Sequence, residues 1–298
     1  MKPKGRVNQW REAVASWRVA PRAFRARSNR GPSEVTLFCF GQSHSVCLRH
    51  AWERGLYRPD NEALDFKFIL ASRKAFPGDA IVVQLPESGA DAIHPELERA
   101  FVEHAVLSGS TEAWLVSVVR GNAYNVYGLF EPDPPFDFVH PDMPDLPVRP
   151  DAQLLPYDAI KAMFIQSAES TRRFFKSLPR QNIAGILHME APPPIPSQAQ
   201  CHRSIERVLL QRVLRRSWGV PISAREFRMK LWKCQSDVNR EICSATNVIY
   251  VTPPEEALDQ HGYLLPEGWS GATHASPWYG ALALRKIEAV ITGERRPQ

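Results

Sequence analysis

The run Val35-Thr-Leu-Phe-Cys-Phe40 stops abruptly at Gly41 and is followed by a helical pattern over Ser45–Arg54 that closes at Gly55. No other stretch constrains the fold as much. A β-rich apolar run without polar alternation suits a strand covered on both faces, as in a parallel sheet packed between helices. The same grammar recurs along the chain. Strands are expected at Phe66–Leu70, Ala80–Leu85, Ala113–Val119, Ile183–Leu187 and Asn247–Val251. Between them the spacing predicts helices over Pro95–Leu107, Tyr157–Leu178, His202–Arg216, Ala224–Ser244 and Pro277–Thr292. Strands that alternate with helices imply βαβ units, so the fold class is α/β: a mainly parallel sheet sandwiched by helices. No internal repeat is present.

Composition excludes several classes. With 8 Trp, 14 Phe and 7 Tyr in 298 residues, there is ample apolar surface to bury, so the chain is not disordered throughout. No apolar run approaches the roughly 18 residues of a membrane span. Five cysteines are too few, and odd in number, for a disulfide framework; unpaired thiols and the lack of a secretory h-region predict a cytoplasmic protein.

The net charge of +5 suggests nucleic acid until it is divided along the chain. Residues 1–33 carry nine Lys/Arg against the single acid Glu12, a net of +8. The remainder, 34–298, holds 28 basic and 31 acidic residues, a net of −3. The chain therefore divides into a basic N-terminal arm, 1–33, and a body, 34–298. Such an arm suits a phosphate-rich partner or an anionic membrane surface; the plain alternative is a solvated extension or a basic helix lying on its own domain.

Proline is the other oddity, at 26 residues, with seven in Pro132–Pro150 and four in Pro192–Pro196. Proline fixes φ and donates no backbone hydrogen, so neither stretch is an interior strand or helix. Both follow strand ends, where an α/β sheet binds its ligands, and are read as stiff loops walling a cleft or as surface connections.

Three short blocks hold the residue types of acyl transfer. Gly41-Gln-Ser43-His-Ser45 lies between the first strand and its helix, where a serine is exposed near the positive end of a helix. Gly121-Asn122, in Arg120-Gly-Asn-Ala-Tyr-Asn125, follows a middle strand and offers an amide donor to an oxyanion. Thr273-His274 precedes the last helix, a place for a general base. Singly, these are a helix cap, a turn and a surface histidine. Together they leave the same edge of the expected sheet, as a nucleophile, an oxyanion donor and a base must.

In this order the blocks resemble the SGNH (GDSL-like) hydrolase superfamily, over about residues 35–290. The resemblance implies a three-layer α/β/α sandwich with a flavodoxin-like sheet. It also implies a serine-dependent esterase or acyltransferase that needs no cofactor or metal and takes small acyl or glycan esters, carbohydrate O-acetyl groups among them, through an acyl-serine intermediate. Carried over, Ser43 is the nucleophile and an oxyanion donor through its amide, Asn122 a second donor, and His274 the base. The glycine donor is assigned to Gly89 in Pro86-Glu-Ser-Gly89. Two positions depart from the family pattern: Gln42 replaces its usual Asp, and Gly271 stands where the triad acid is expected. A substitute acid is placed at Glu190, the end of Leu187-His-Met-Glu190; a Ser–His dyad and a loss of hydrolysis are the alternatives. Losing the acid costs a serine triad roughly four orders of magnitude in turnover, so an impaired binding or scaffold protein is the competing reading. A third makes the arm primary, in a nucleic-acid or membrane binder.

Other clusters carry less. Cys39, His44, Cys47 and His50 have metal-ligand types without metal spacing. Cys201, Cys234 and Cys243 are expected to pack helices, and His140, Asp142 and Asp145 to lie in a solvated loop. The charged set in 225–233 is expected to drape long side chains over apolar surface. No phosphate-binding glycine loop or dinucleotide fingerprint appears, so no nucleotide cofactor is expected.

Overall fold

The computed structural model describes residues 35–70, 81–85, 87–108, 112–119, 121–178, 180, 183–205 and 221–293. The basic arm, Ala80 and most of the helix expected over 202–216 lie outside these residues. Five strands form a parallel sheet in the order β2-β1-β5-β8-β9. They are β1 (Val35–Gly41), β2 (Leu64–Leu70), β5 (Glu112–Val118), β8 (Gly185–Met189) and β9 (Ile249–Val251). Helices α1 (Ser45–Glu53) and α7 (Pro277–Ile291) pack together on one face. On the other lie α2 (Pro95–Ser108), α3 (Ala123–Gly128), α4 (Tyr157–Ser177) and α6 (Arg225–Ala245). The short α5 (Gln198–Ser204) belongs with the first group through Cys201.

β1 shows why an unalternated apolar run is needed. Leu37 and Cys39 enter the core beneath α1 and α7, while Phe38 and Phe40 enter the core beneath α2 and α4. Both sides of the strand are dry, giving the three layers of an α/β/α sandwich. The strand order reverses between β1 and β5, and an open sheet of this kind has its ligand crevice at the carboxyl ends of those strands.

Short strands complete the chain: a hairpin of β3 (Val82–Gln84) and β4 (Asp91–Ile93), the pair β6 (Phe136–Asp137) and β7 (Gln153–Leu154), and the hairpin of β10 (Trp269–Ser270) and β11 (His274–Ala275). The run expected at 80–85 thus pairs across its own turn and stays out of the main sheet. Among the described residues no helix is long and apolar enough to cross a membrane.

The proline-rich segments are not loose surface connections. Residues 191–195 are buried, and the carbonyls of Ala191, Pro192, Pro194 and Ile195 each have a donor. Trp232 donates to Ala191 O (3.1 Å), Tyr124 to Pro192 O (3.0 Å), the Leu264 amide to Pro194 O (3.3 Å) and Arg228 to Ile195 O (2.7 Å). Pro192, Pro193 and Pro194 have no amides to satisfy, which lowers the cost of burying this stretch. The longer segment is pinned to α6. Lys230, fully buried, pairs with buried Asp137 at 2.5 Å, and Asp137 also accepts from the amides of Phe138 (2.7 Å) and Arg149 (2.9 Å). Arg228 and Lys230 therefore correct the expectation for 225–233: they hold the loops from inside the protein.

Candidate functional site

Ser43 lies on the turn leaving β1, half-buried, just before α1. The turn is tight because Ser45 binds the Gln42 carbonyl twice, through its hydroxyl (2.6 Å) and its amide (3.1 Å). The Ser43 carbonyl accepts from the Val46 amide (3.2 Å), so its hydroxyl stands at the amino end of the helix.

Gly121 and Asn122 leave the adjacent strand β5. A Cβ on Gly121 would stand 2.8 Å from Ala191 Cβ and 3.6 Å from His44 Cδ2. The continuations of β1, β5 and β8 therefore meet here at a distance only glycine permits. Gln235 on α6 holds this turn from below, donating to Gly121 O (3.0 Å) and accepting from the Tyr124 amide (2.9 Å). Asn125 Nδ2 donates to Asn122 Oδ1 at 2.6 Å, which fixes which end of the Asn122 carboxamide faces which way.

His274 is placed by the β10–β11 hairpin, in which Ser270 pairs with His274. Gly271 turns the hairpin with φ +77°, a conformation L side chains rarely adopt. The position expected to carry the triad acid is thus spent on a turn. Buried Thr273 stands next to the imidazole instead, its Oγ1 3.1 Å from His274 Nδ1. Ser276 then caps α7, accepting from the Tyr279 amide.

His44 connects the three blocks. Its ring lies 5.5 Å from the His274 ring, centroid to centroid, and beside the Asn122 side chain. It is buried, and neither ring nitrogen has a hydrogen-bond partner. Burial, reinforced by the neighbouring His274, pushes its pKa down to about 3, so the ring is neutral.

Two expected residues fare differently. Glu190 lies just past β8 with a carboxyl that faces Tyr250 on β9 and Arg240 and Lys233 on α6. Neither its Oε1 nor the Tyr250 hydroxyl closes a hydrogen bond. Burial raises the Glu190 pKa to about 8 against the pull of those partners, so near neutral pH it is mostly protonated and brings little negative charge to an imidazolium. Gly89 sits in the exposed turn of the β3–β4 hairpin, outside the main sheet, with nothing within 4 Å of where a Cβ would be. It is not brought to the other three.

His140, Asp142 and Asp237 form the metal-type cluster found among the described residues, their ligand atoms within 4.8 Å of one another. The Lys233 ammonium lies 3.0 Å from both carboxylates, and His140 Nδ1 accepts from the Asp142 amide at 3.2 Å. A cation's place there is already filled. His140 is fully buried, contrary to the solvated loop expected.

Sequence reasoning missed the places of Gln235 and Asn125 beside the Gly121–Asn122 turn, and it named His44 and Thr273 without their contacts to His274. The only local signals were the i, i+3 spacing of Asn122 and Asn125 and the adjacency of Thr273 to His274.

These features define an α/β/α sandwich with a serine, an asparagine and a histidine drawn from separate blocks around its switch point. No family model matches the chain, and no curated protein matches it by sequence. Among solved structures it is similar to a GDSL-like lipase from Bacteroides thetaiotaomicron, at 10% identity and TM-score 0.33 over 96% of each chain. It is similar also to Est24, a carbohydrate acetylesterase from Sinorhizobium meliloti, at 10% identity and TM-score 0.36 over 87% of this chain and 99% of that one. The aryl esterase of M. smegmatis gives 8% identity and TM-score 0.39 over 87% and 98%.

Proposed function

We propose that the chain is a serine-dependent hydrolase or acyltransferase of small acyl esters, carbohydrate O-acetyl groups among them. One observation carries the proposal: the residue next to Ser43 lies against both Asn122 and His274, at the edge where β1 and β5 diverge. Ser43 Oγ attacks the ester carbonyl while His274 Nε2 takes its proton, which then goes to the leaving alcohol. With Nδ1 protonated and donating to the Thr273 hydroxyl 3.1 Å away, the tautomer carries its basic lone pair on Nε2. The oxyanion is met by the Ser43 amide and the Asn122 carboxamide. Water or an acceptor alcohol then removes the acyl group from Ser43.

A fluorophosphonate probe tests this directly. The wild type is expected to label, and Ser43→Ala and His274→Ala are expected not to; equal labelling of Ser43→Ala overturns the assignment. A second reading, a binding or scaffold protein that keeps the cleft without the reaction, is favoured by the turn geometry of Gly271. It predicts that the wild type does not label where a known serine esterase does.

A further inference from the structure

We infer that Gln235 is a positioning residue: from α6 it caps α3 in place of Asn122, and so frees the Asn122 carboxamide to meet an oxyanion. This inference rests on the acyl-transfer reading above. Asn122 is the residue at the N-cap of α3. An asparagine there ordinarily turns its side-chain oxygen back onto the amide of the second or third helical residue. Asn122 makes no such bond, and its backbone, at φ −108° and ψ 10°, lacks the extended conformation of a capping residue. The amide of the second helical residue, Tyr124, donates instead to Gln235 Oε1 at 2.9 Å, across 111 positions of sequence. Gln235 Nε2 donates to Gly121 O at 3.0 Å, so one buried carboxamide grips the chain on both sides of Asn122.

Capping alone does not call for Gln235, since Asn122 lies two residues from the same amide and is of a residue type well suited to it. What the glutamine decides is which carboxamide is left over. With the Tyr124 amide taken, Asn122 Oδ1 accepts from Asn125 Nδ2 at 2.6 Å, and the two Asn122 N–H donors stand at the other end of the group. Turned back as a cap, the same carboxamide would be committed to its own helix and could not follow charge developing on a substrate. The turn has little room to yield: a Cβ on Gly121 would stand 2.8 Å from Ala191 Cβ, on the segment that follows β8. Gln235 therefore holds the turn from α6 while the chain after β8 closes its other side.

The test is a double-mutant cycle on hydrolysis of p-nitrophenyl acetate by the full chain. Gln235→Met keeps the length of the side chain and removes both polar ends. It is expected to lower kcat by about 10²-fold with KM little changed, the cost of a misplaced group. In an Asn122→Ala background the same substitution is expected to change kcat by no more than about threefold, because it acts through Asn122. A merely structural role would lower turnover equally in both backgrounds. Wild-type kcat in folded Gln235→Met, or an undiminished effect in the Asn122→Ala background, overturns the inference. Unfolding midpoints verify that each variant is folded. A second measurement needs no variant: the crystal structure of the wild type treated with diethyl p-nitrophenyl phosphate, in which Ser43 Oγ bonds to phosphorus and p-nitrophenolate leaves. Asn122 Nδ2 is expected within hydrogen-bond distance of the phosphoryl oxygen, with Gln235 Oε1 still on the Tyr124 amide. An adduct in which Asn122 Oδ1 caps Tyr124 overturns the positioning role alone. Turnover unaffected by Ser43→Ala, with no adduct on Ser43, overturns the acyl-transfer reading itself.

Discussion

At the scale of single residues, a strand-end position is a good guide to placement and a poor guide to protonation. Ser43, Asn122 and His274 each stand where a strand or helix signal in the sequence said they would. Glu190 obeys the same rule, yet the sequence holds no hint that its carboxyl closes into the space between β9 and α6. That burial has a measurable consequence. Its pKa is raised from the ordinary 4.5 to about 8, so the folded protein prefers the protonated form more than the unfolded chain does. The stability this represents is fully present below about pH 4.5 and is lost as pH rises through about 8. At about 1.4 kcal/mol per pH unit, the loss across that window is on the order of a few kcal/mol. Glu190→Gln mimics the protonated state at every pH. It is expected to be close to wild type at pH 5 and clearly more stable at pH 8, by urea unfolding midpoints. A variant less stable than wild type at pH 8 would show that the carboxylate is held as an anion.

At the scale of elements, α6 acts as the spine of the site. Gln235 holds the Gly121–Asn122 turn, Trp232 and Arg228 hold the strap 191–196, and Lys230 holds Asp137 in the longer proline-rich segment. None of this is visible locally: the Gln235–Gly121 contact joins residues 114 apart, and a periodic pattern does not say that a charged side chain points inward. The element boundaries show the same limit. The strand expected over Ile183–Leu187 instead runs from Gly185 to Met189, with His188 buried and its Nδ1 3.3 Å from Ser117 Oγ. Lys230→Met leaves the Asp137 carboxylate buried with two amide donors and no cation, and is expected to cost about 3–5 kcal/mol in denaturant unfolding. Adding Asp137→Asn should recover a large part of that loss, because the isolated charge and not the missing contact dominates it. A double variant as unstable as Lys230→Met would place the cost in packing instead.

At the scale of the whole molecule, the parallel sandwich was legible because a strand covered on both faces must be apolar throughout, and Val35–Gly41 is. The strand order was legible only through the family resemblance, whose flavodoxin-like sheet is the order found, since no local pattern says that β1 sits between β2 and β5; the switch point that gathers the site follows from that order. Charge is the other whole-molecule property, and the sequence divides it cleanly. Every group assigned to the reaction lies between Gly41 and His274, in a body of net charge −3, while residues 1–33 supply +8. Replacing the nine Lys/Arg of 1–33 by Gln takes the formal net charge of the chain from +5 to −4. If reaction and polyanion affinity reside in different segments, that variant keeps wild-type fluorophosphonate labelling and loses retention on heparin, and the wild type's retention falls steeply with salt as counterion release requires. Retention that survives the substitutions would put the anion-binding surface on the body and remove the arm as its source. Labelling that falls with them would mean that the basic segment takes part in forming or reaching the serine site.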